Sequence, residues 1–445
     1  MKTFILGLLF LAAPVHLTSQ PSVADADAVL EQAADAFHSI NTSGGYVGIY
    51  SADLSQRYGE AFYEEASAEE IWVQPPGTPT VGETFLRAYQ LTNEEKYLRY
   101  ATDAALALCW GQRKEGGWDH RVDVSHRTDD PSEIRRHSGR CTFDDEITQG
   151  ALMFLMALDT VLNESWLTES IELGMAFMME SQFENGGWPQ WYPLRGGYHD
   201  YYTFNDGAIN DNIRLMMHTY RQYGNPDYLR SAEAGGEFII QSQWKAPQSG
   251  WAQQYNHDME PAWARRFEPP GICSLVTGRN IHTLIDLYLL TDDEKYLNPI
   301  PAAIRWLEDS QIGNEQWARL YEVGTNKPIY GDREDGNKVF YEYLAISERE
   351  RTSYGWQGSY GIPGAIARYE HLKTHGSLDS YNSAGQSAGG SDLSEQVQYV
   401  TSNLNNDGFW LTERVTDDKE TVTVITSATF VNNANVLLDY IQTQQ

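Results

Sequence analysis

The sequence predicts an all-α fold, an α/α toroid in which helical hairpins ring an axis, with a small α+β segment at its C-terminal end. Three observations carry this. Trp118, Trp188, Trp251 and Trp317 recur at intervals of 63 to 70 residues. A leucine (Leu98, Leu167, Leu229 or Leu297) precedes each of them by 20 to 22 residues. Between the tryptophans the apolar residues fall at helical spacing, interrupted by one short turn per unit.

Each unit therefore reads as helix, turn, helix and long Gly-rich loop. In one unit the run Gln149–Leu158 is apolar at helical spacing, Asn163-Glu164-Ser165 is a turn, and Ile171–Met179 is a second helix. A helical hairpin cannot bury both its faces alone, so such units stack on their neighbours. The long loops favour closure into a ring over an open solenoid. Gly44-Gly45-Tyr46 reads as a worn first copy.

The ends of the chain read differently. Residues 1–20 have a short positive start, an apolar run from Phe4 to Pro14 and a small-residue exit, the pattern of a signal peptide. No later run is long enough to span a bilayer, so a secreted protein with no membrane partner is expected. Residues 25–375 form the toroid, 376–392 a Ser/Gly-rich linker, and 393–445 a small terminal segment with strand-like Thr421–Thr426 and a last helix near Asn435–Ile441. Cys109, Cys141 and Cys273 lack metal-site spacing. A Cys109–Cys141 bridge and three buried thiols are both compatible with the sequence.

Composition narrows the function. The 445 residues carry 62 acidic against 32 basic side chains, a net charge of −30, while 12% are aromatic. That aromatic content excludes an acidic disordered chain. The charge excludes a nucleic-acid partner, which needs a basic footprint, and favours a monomer that repels its copies. An anionic ligand requires a local reversal of sign.

In a ring of hairpins, the loops that enter the inner helices converge at one rim. Those loops hold Asp144 and Asp145, then Asn205 and Asp206, then Arg279, then Arg351. The carboxylates are hard oxygen donors suited to Ca2+, and each is equally a helix cap. Arg279 at a helix start opposes the helix dipole, which marks it as a functional candidate. Arg266, Lys327 and Arg333 are further cations able to bind a carboxylate. The dense run Trp188-Pro189-Gln190-Trp191-Tyr192-Pro193 offers flat faces for stacking on sugar rings.

The segments Asn185–Pro193, Tyr198-His199 and Thr203–Ala208 resemble the pectate lyases of polysaccharide lyase family 10. So do Thr142–Asp145, Ala264–Pro269, Trp317–Pro328 and Arg351–Trp356. The resemblance spans about residues 30 to 372. It implies a toroid that cleaves α-1,4-polygalacturonate (pectate) by β-elimination with Ca2+. It further implies Arg279 as base, Asp144 beside the reacting carboxylate, and Asp206 and Asp145 at the metal. Arg351, Trp188, Trp191, Asn205, Arg266 and Lys327 are expected to hold substrate. The chain has Asp145 where the family usually has Asn, and Ser353 and Gln357 are unusual. Two other readings stay open. One is a toroidal glycoside hydrolase with Asp144 and Asp206 as paired carboxylates; the other is a non-catalytic pectin-binding protein using Trp188 and Trp191.

Overall fold

The computed structural model describes residues 22–379, 381, 393–416 and 418–445. The expected signal peptide, and most of the expected linker, lie outside the described residues. Four consecutive helical hairpins follow the sequence ladder: α2 (Thr78–Thr92) with α3 (Glu95–Gly111), α4 (Ile147–Leu162) with α5 (Ser165–Glu180), α6 (Ala208–Tyr223) with α7 (Pro226–Ser242), and α8 (Ser274–Thr291) with α9 (Ile300–Asp309). Each inner turn is made by a left-handed residue, Asn93, Asn163, Gly224 or Asp292, the conformation that closes a helix C-terminus.

The first helix of each pair packs on the first helix of the next. The inner row continues through α11 (Ile362–His375). The short helix α10 (Glu348–Ser353) and a hairpin of strands Pro328–Asp332 and Gly336–Phe340 lie in the loops between α9 and α11. Among the described residues, no helix is long and apolar enough to cross a membrane.

The tryptophan ladder is a set of plugs. Trp118, Trp188, Trp251 and Trp317 are all fully buried. Each indole N–H donates to a carbonyl near the end of the preceding helix, those of Leu108, Met178, Ile239 and Leu307. A second repeated device accompanies them. Gln112, Gln182 and Gln243 each donate both to their own loop and to the next unit, at Ser170, Ser231 and Pro299. These clasps tie successive hairpins together and satisfy buried carbonyls that would otherwise be costly.

The C-terminal segment has the expected α+β character and is built into the ring. Helix α1 (Val23–Ser39) and the final helix α13 (Ser427–Thr443) pack together, and α13 also lies against α2. The Phe430 ring stacks on Phe37 at 4.2 Å. Strand Thr421–Thr426 pairs antiparallel with Ile49–Ser51. Trp410 repeats the plug, donating to the Val400 carbonyl at the end of α12 (Leu393–Ser402). All three cysteines are free and buried; the Cys109–Cys141 bridge is not formed.

Candidate active site

Two adjacent loops enter α4 and α6 with the same backbone. Phe143-Asp144-Asp145-Glu146 and Phe204-Asn205-Asp206-Gly207 each form a single 3-10 turn broken by a left-handed residue, Asp145 at φ 49° and Asp206 at φ 48°. Asp tolerates this conformation better than most residues. Gly207 follows at φ +85°, where a Cβ would lie 2.2 Å from Asp211 Oδ2, so glycine is favoured there. Below the first kink, Gln149 donates to the Phe143 carbonyl and to Asn212 of α6.

Each carboxylate of the resulting cluster is held by an amide. Gln190 Nε2 donates to Asp144 Oδ2 at 2.7 Å, and Gln74 Nε2 donates to Asp145 Oδ2 at 3.0 Å. Asn205 Nδ2 donates to Asp206 Oδ2. His120 joins them: its ring and the Asp144 and Asp145 carboxylates present ligand atoms within 4.8 Å of one another. His120 Nδ1 is engaged by Asp119 at 3.0 Å, which leaves Nε2 as the free coordinating atom. Burial pulls the His120 pKa down, but Asp119 outweighs it and the net shift is upward.

The carboxylates crowd one another. Burial, then the charges of Asp206 and Asp145, push Asp144 up from the ordinary range. Burial, then Asp206 and Glu60, push Asp145 up to about 6. Asp144 Oδ1 is buried and accepts no hydrogen bond. An orphaned carboxylate oxygen among like charges is the environment a hard cation relieves, so these residues fit a divalent metal.

Two arginines flank the cluster. Arg279, on α8, lines a cleft of about 650 Å3 together with Asp145, Asp206, Asp211, Arg214 and Asp286. It acts on Asp211, whose carboxyl is pushed up to about 7 by burial and by Glu146. Arg265 lines the adjoining pocket with Asp144, Gln190, Tyr198, Asn205 and Glu268. Its Nη2 donates to Glu268 Oε1 at 2.7 Å. Burial alone would lower its pKa; the bond and charge of Glu268 outweigh it and raise the pKa well above the usual value. Arg265 also acts electrostatically on Asp145 and Asp206.

Behind Asp206 lies a relay. Buried Arg319 donates from Nη2 to Asn205 Oδ1 at 3.1 Å and from Nε to Gln253 at 3.0 Å. Gln253 reaches Glu268, which also accepts from the Tyr354 hydroxyl. His120, Gln190, Gln74, Arg265, Glu268 and Arg319 were not singled out from the sequence. Gln190, Arg265, Glu268 and Arg319 do lie inside the motif segments quoted above. The Arg265–Glu268 spacing of three residues was the available signal for that pair.

Several expected substrate residues stand elsewhere. Trp188 is fully buried and plugs the ring, so its face cannot meet a sugar. Trp191 is at the groove, but His199 stacks on it at 3.3 Å and the Arg140 guanidinium lies 4.0 Å from its centroid. One face cannot hold both, so neither face is open for sugar stacking. Burial and Arg140 lower the His199 pKa to about 4, which keeps that ring neutral. Arg351 donates to the carbonyls of Leu344 and Ile346. Arg266 is exposed, with its guanidinium against Gly336. Arg333 pairs with Glu350. Lys327 lies over the Tyr341 ring at 6.0 Å. None of these last four lines the cleft or the pocket around the acid cluster.

The ring of hairpins, with an acidic cluster and two flanking arginines at the entrance to its inner helices, defines an α/α toroid with a charged cleft at one rim. The pectic acid lyase profile matches residues 112–316 and 310–363. That is more than half of the sequence: the chain belongs to the pectic acid lyase family and is a polysaccharide lyase. Among solved structures, a mutant family 10 polysaccharide lyase from Cellvibrio cellulosa in complex with trigalacturonic acid is 20% identical, with a TM-score of 0.50 over 66% of this chain and 99% of that one. Cellobiose 2-epimerase from Bacillus thermoamylovorans is 12% identical, with a TM-score of 0.50 over 94% of this chain and 98% of that one. At these identities they establish the shared fold. No curated protein matches the chain by sequence.

Proposed function

We propose that the protein is an exported, calcium-dependent pectate lyase that cleaves α-1,4-polygalacturonate by β-elimination. The observation that carries this reading is the buried, unpartnered Asp144 Oδ1 set against Asp145 and Asp206. Asp144, Asp145 and Asp206 would hold Ca2+, with His120 at the edge of the site. The cation supplies charge withdrawal from the substrate carboxylate, which makes the neighbouring C–H acidic.

The chain's own groups do the rest. Gln190, Gln74 and Asn205 fix one oxygen of each carboxylate and so orient the other. Arg265, kept cationic by Glu268, receives an anionic sugar in a site whose surroundings are acidic. Arg279 takes the proton from the carbon next to the carboxylate; the 4-linked sugar then leaves, and the new chain end is unsaturated. Arginine is a weak candidate for a base, because its ordinary pKa lies above about 12. Arg279, in a cleft lined by Asp145, Asp206, Asp211 and Asp286, serves only if the bound cation makes the substrate proton unusually acidic.

A second reading exchanges the two arginines. What favours it is that Arg265, unlike Arg279, lines the pocket that holds Asp144; it acts as base only after releasing Glu268. Both readings are tested by incubating purified protein with polygalacturonate, with and without chelator, and following ultraviolet absorbance. An unsaturated product that requires the divalent ion supports lyase action. Cleavage without ultraviolet absorbance indicates hydrolysis through Asp144 and Asp206, and binding without cleavage indicates a carbohydrate-binding protein.

A further inference from the structure

A short loop segment, Trp263-Ala264-Arg265, connects the charged groove to a different kind of pocket. Ala264 and Arg265 line the groove, while Trp263 lines an apolar pocket of about 390 Å3 with Pro261, Val323, Val339 and Tyr341. Trp263 and Arg265 are two residues apart, so their backbones lie within about 7 Å. The Tyr341 ring is half exposed. The half-exposed Tyr341 ring and the partly buried Trp263 beside aliphatic walls match the C–H faces of a pyranose, and a pocket of this size falls within the usual range for small ligands.

The polar rim excludes a free uronate. Its acidic side chains are Glu260 and Glu322. Glu322 accepts from the hydroxyls of Thr325 and Tyr341, and these bonds lower its pKa, so it stays charged. Lys327, over the Tyr341 ring, offsets one of these two charges. A galacturonate carboxylate would meet net negative charge here; an esterified one would not.

We infer that this pocket is a subsite for an uncharged sugar of the substrate chain, namely a methyl-esterified galacturonate, next to the charged groove that takes the free acid. The inference rests on the lyase reading and refines its substrate to partly esterified pectin. The enzyme then tolerates, and prefers, an ester at one fixed distance from the cleaved bond.

The test compares wild type with Tyr341→Ala and Trp263→Ala, using polygalacturonate and galacturonate oligomers of defined methyl esterification. Lyase rate is followed by ultraviolet absorbance, and binding to the same oligomers by titration calorimetry in the presence of Ca2+. For wild type, the partly esterified oligomer is bound and cleaved better than the free acid. In the variants this preference falls by about tenfold, while kcat/KM on polygalacturonate is unchanged. Glu322→Gln narrows the preference by admitting the free acid. Equal binding of both oligomers by wild type, or an equal loss on both in Tyr341→Ala, overturns the inference. Absence of cleavage with an ester preference intact in calorimetry overturns the lyase reading and leaves the subsite standing. Because Tyr341 is half exposed, its variant is expected to fold even where Trp263→Ala does not.

Discussion

Asp145 and Asp206 occupy the same backbone position in neighbouring units: each sits in the left-handed region, at φ 49° and 48°, at the entrance to an inner helix, and each raises the cost of ionising Asp144. A duplicated hairpin thus sets carboxylates from two copies of one kink against Asp144. Asp206→Asn keeps the backbone, since Asn also tolerates the left-handed region, but removes a charged ligand. Calorimetry is expected to show a large loss of Ca2+ affinity, while the metal-free protein at pH 7 melts no lower than wild type because a like charge beside Asp144 and Asp145 is gone. Asn205→Ala removes only the amide behind Asp206, and a smaller loss of about 10- to 100-fold is expected. Unchanged Ca2+ binding in Asp206→Asn would remove this residue from the site.

The same crowding sets a pH signature. Asp144 and Asp145 have folded pKa values raised above their unfolded values, Asp145 to about 6. Groups raised in this way contribute stability below the unfolded carboxylate pKa of about 4, and that contribution is lost as pH rises through the folded value. Metal-free protein should therefore lose melting temperature between about pH 4 and pH 7. Millimolar Ca2+ should reverse the loss at pH 7, because the cation binds the ionised form. Asp145→Asn should stabilise the metal-free protein at pH 7 by on the order of 2 kcal/mol, and leave it unaffected near pH 4. Thermal melts across this range, with and without chelator, check the sign.

The two arginines separate by kinetics. If Arg279 is the base, Arg279→Ala lowers kcat by several orders of magnitude with little change in KM, whereas Arg265→Ala raises KM as well, having lost a carboxylate contact. The alternative reading reverses these patterns. Arg265→Lys is expected to fail in either case, since a lysine cannot reproduce the fork held by Glu268. Steady-state rates on polygalacturonate at saturating Ca2+ decide between them.

Trp188 and Trp191 should part company. Trp188 is fully buried with its indole N–H on the Met178 carbonyl. Trp188→Phe is expected to cost about 1–3 kcal/mol through the stranded acceptor and the smaller ring, with KM unchanged. Trp191→Ala removes the ring that His199 and the Asp119-bound Arg140 pack on beside the groove, so its effect should fall on substrate binding. Denaturant unfolding, set beside KM for both variants, measures the contrast.

The periodic part of this fold was legible because each hairpin solves the same burial problem with the same residues. The ladder marked the units, and the loop positions marked Asp144, Asp145 and Asp206. Pairing one tryptophan with function failed at Trp188, where a dense aromatic motif combines a plug with a groove residue. Picking Arg266 over Arg265 failed for a similar reason. Adjacent arginines look equal in sequence, and only the bond to Glu268 shows which one turns inward. The glutamine clasps, and the Gln190 and Gln74 amides behind Asp144 and Asp145, were invisible because their partners lie 46 to 71 residues away and are brought together only by the fold.

Least legible was the closing of the ring, since it joins the two ends of the chain. Val424, Ile425 and Thr426 pair with Ser51, Tyr50 and Ile49, the Ser427 hydroxyl donates to the Val47 carbonyl, and Phe430 covers Phe37 and Phe85. A chain ending after α11 would expose these two rings and leave α2 without its neighbour α13, opening a contiguous apolar face. Deleting residues 393–445 is therefore expected to give aggregated or unfolded protein rather than a free catalytic ring. A milder probe keeps the test quantitative: Phe430→Ala should cost about 3–5 kcal/mol, read as a drop in the denaturation midpoint, although Phe430 is absent from the residues that line the cleft. A truncated chain that melts cooperatively at the temperature of the full protein would show instead that the terminal segment is a separable unit.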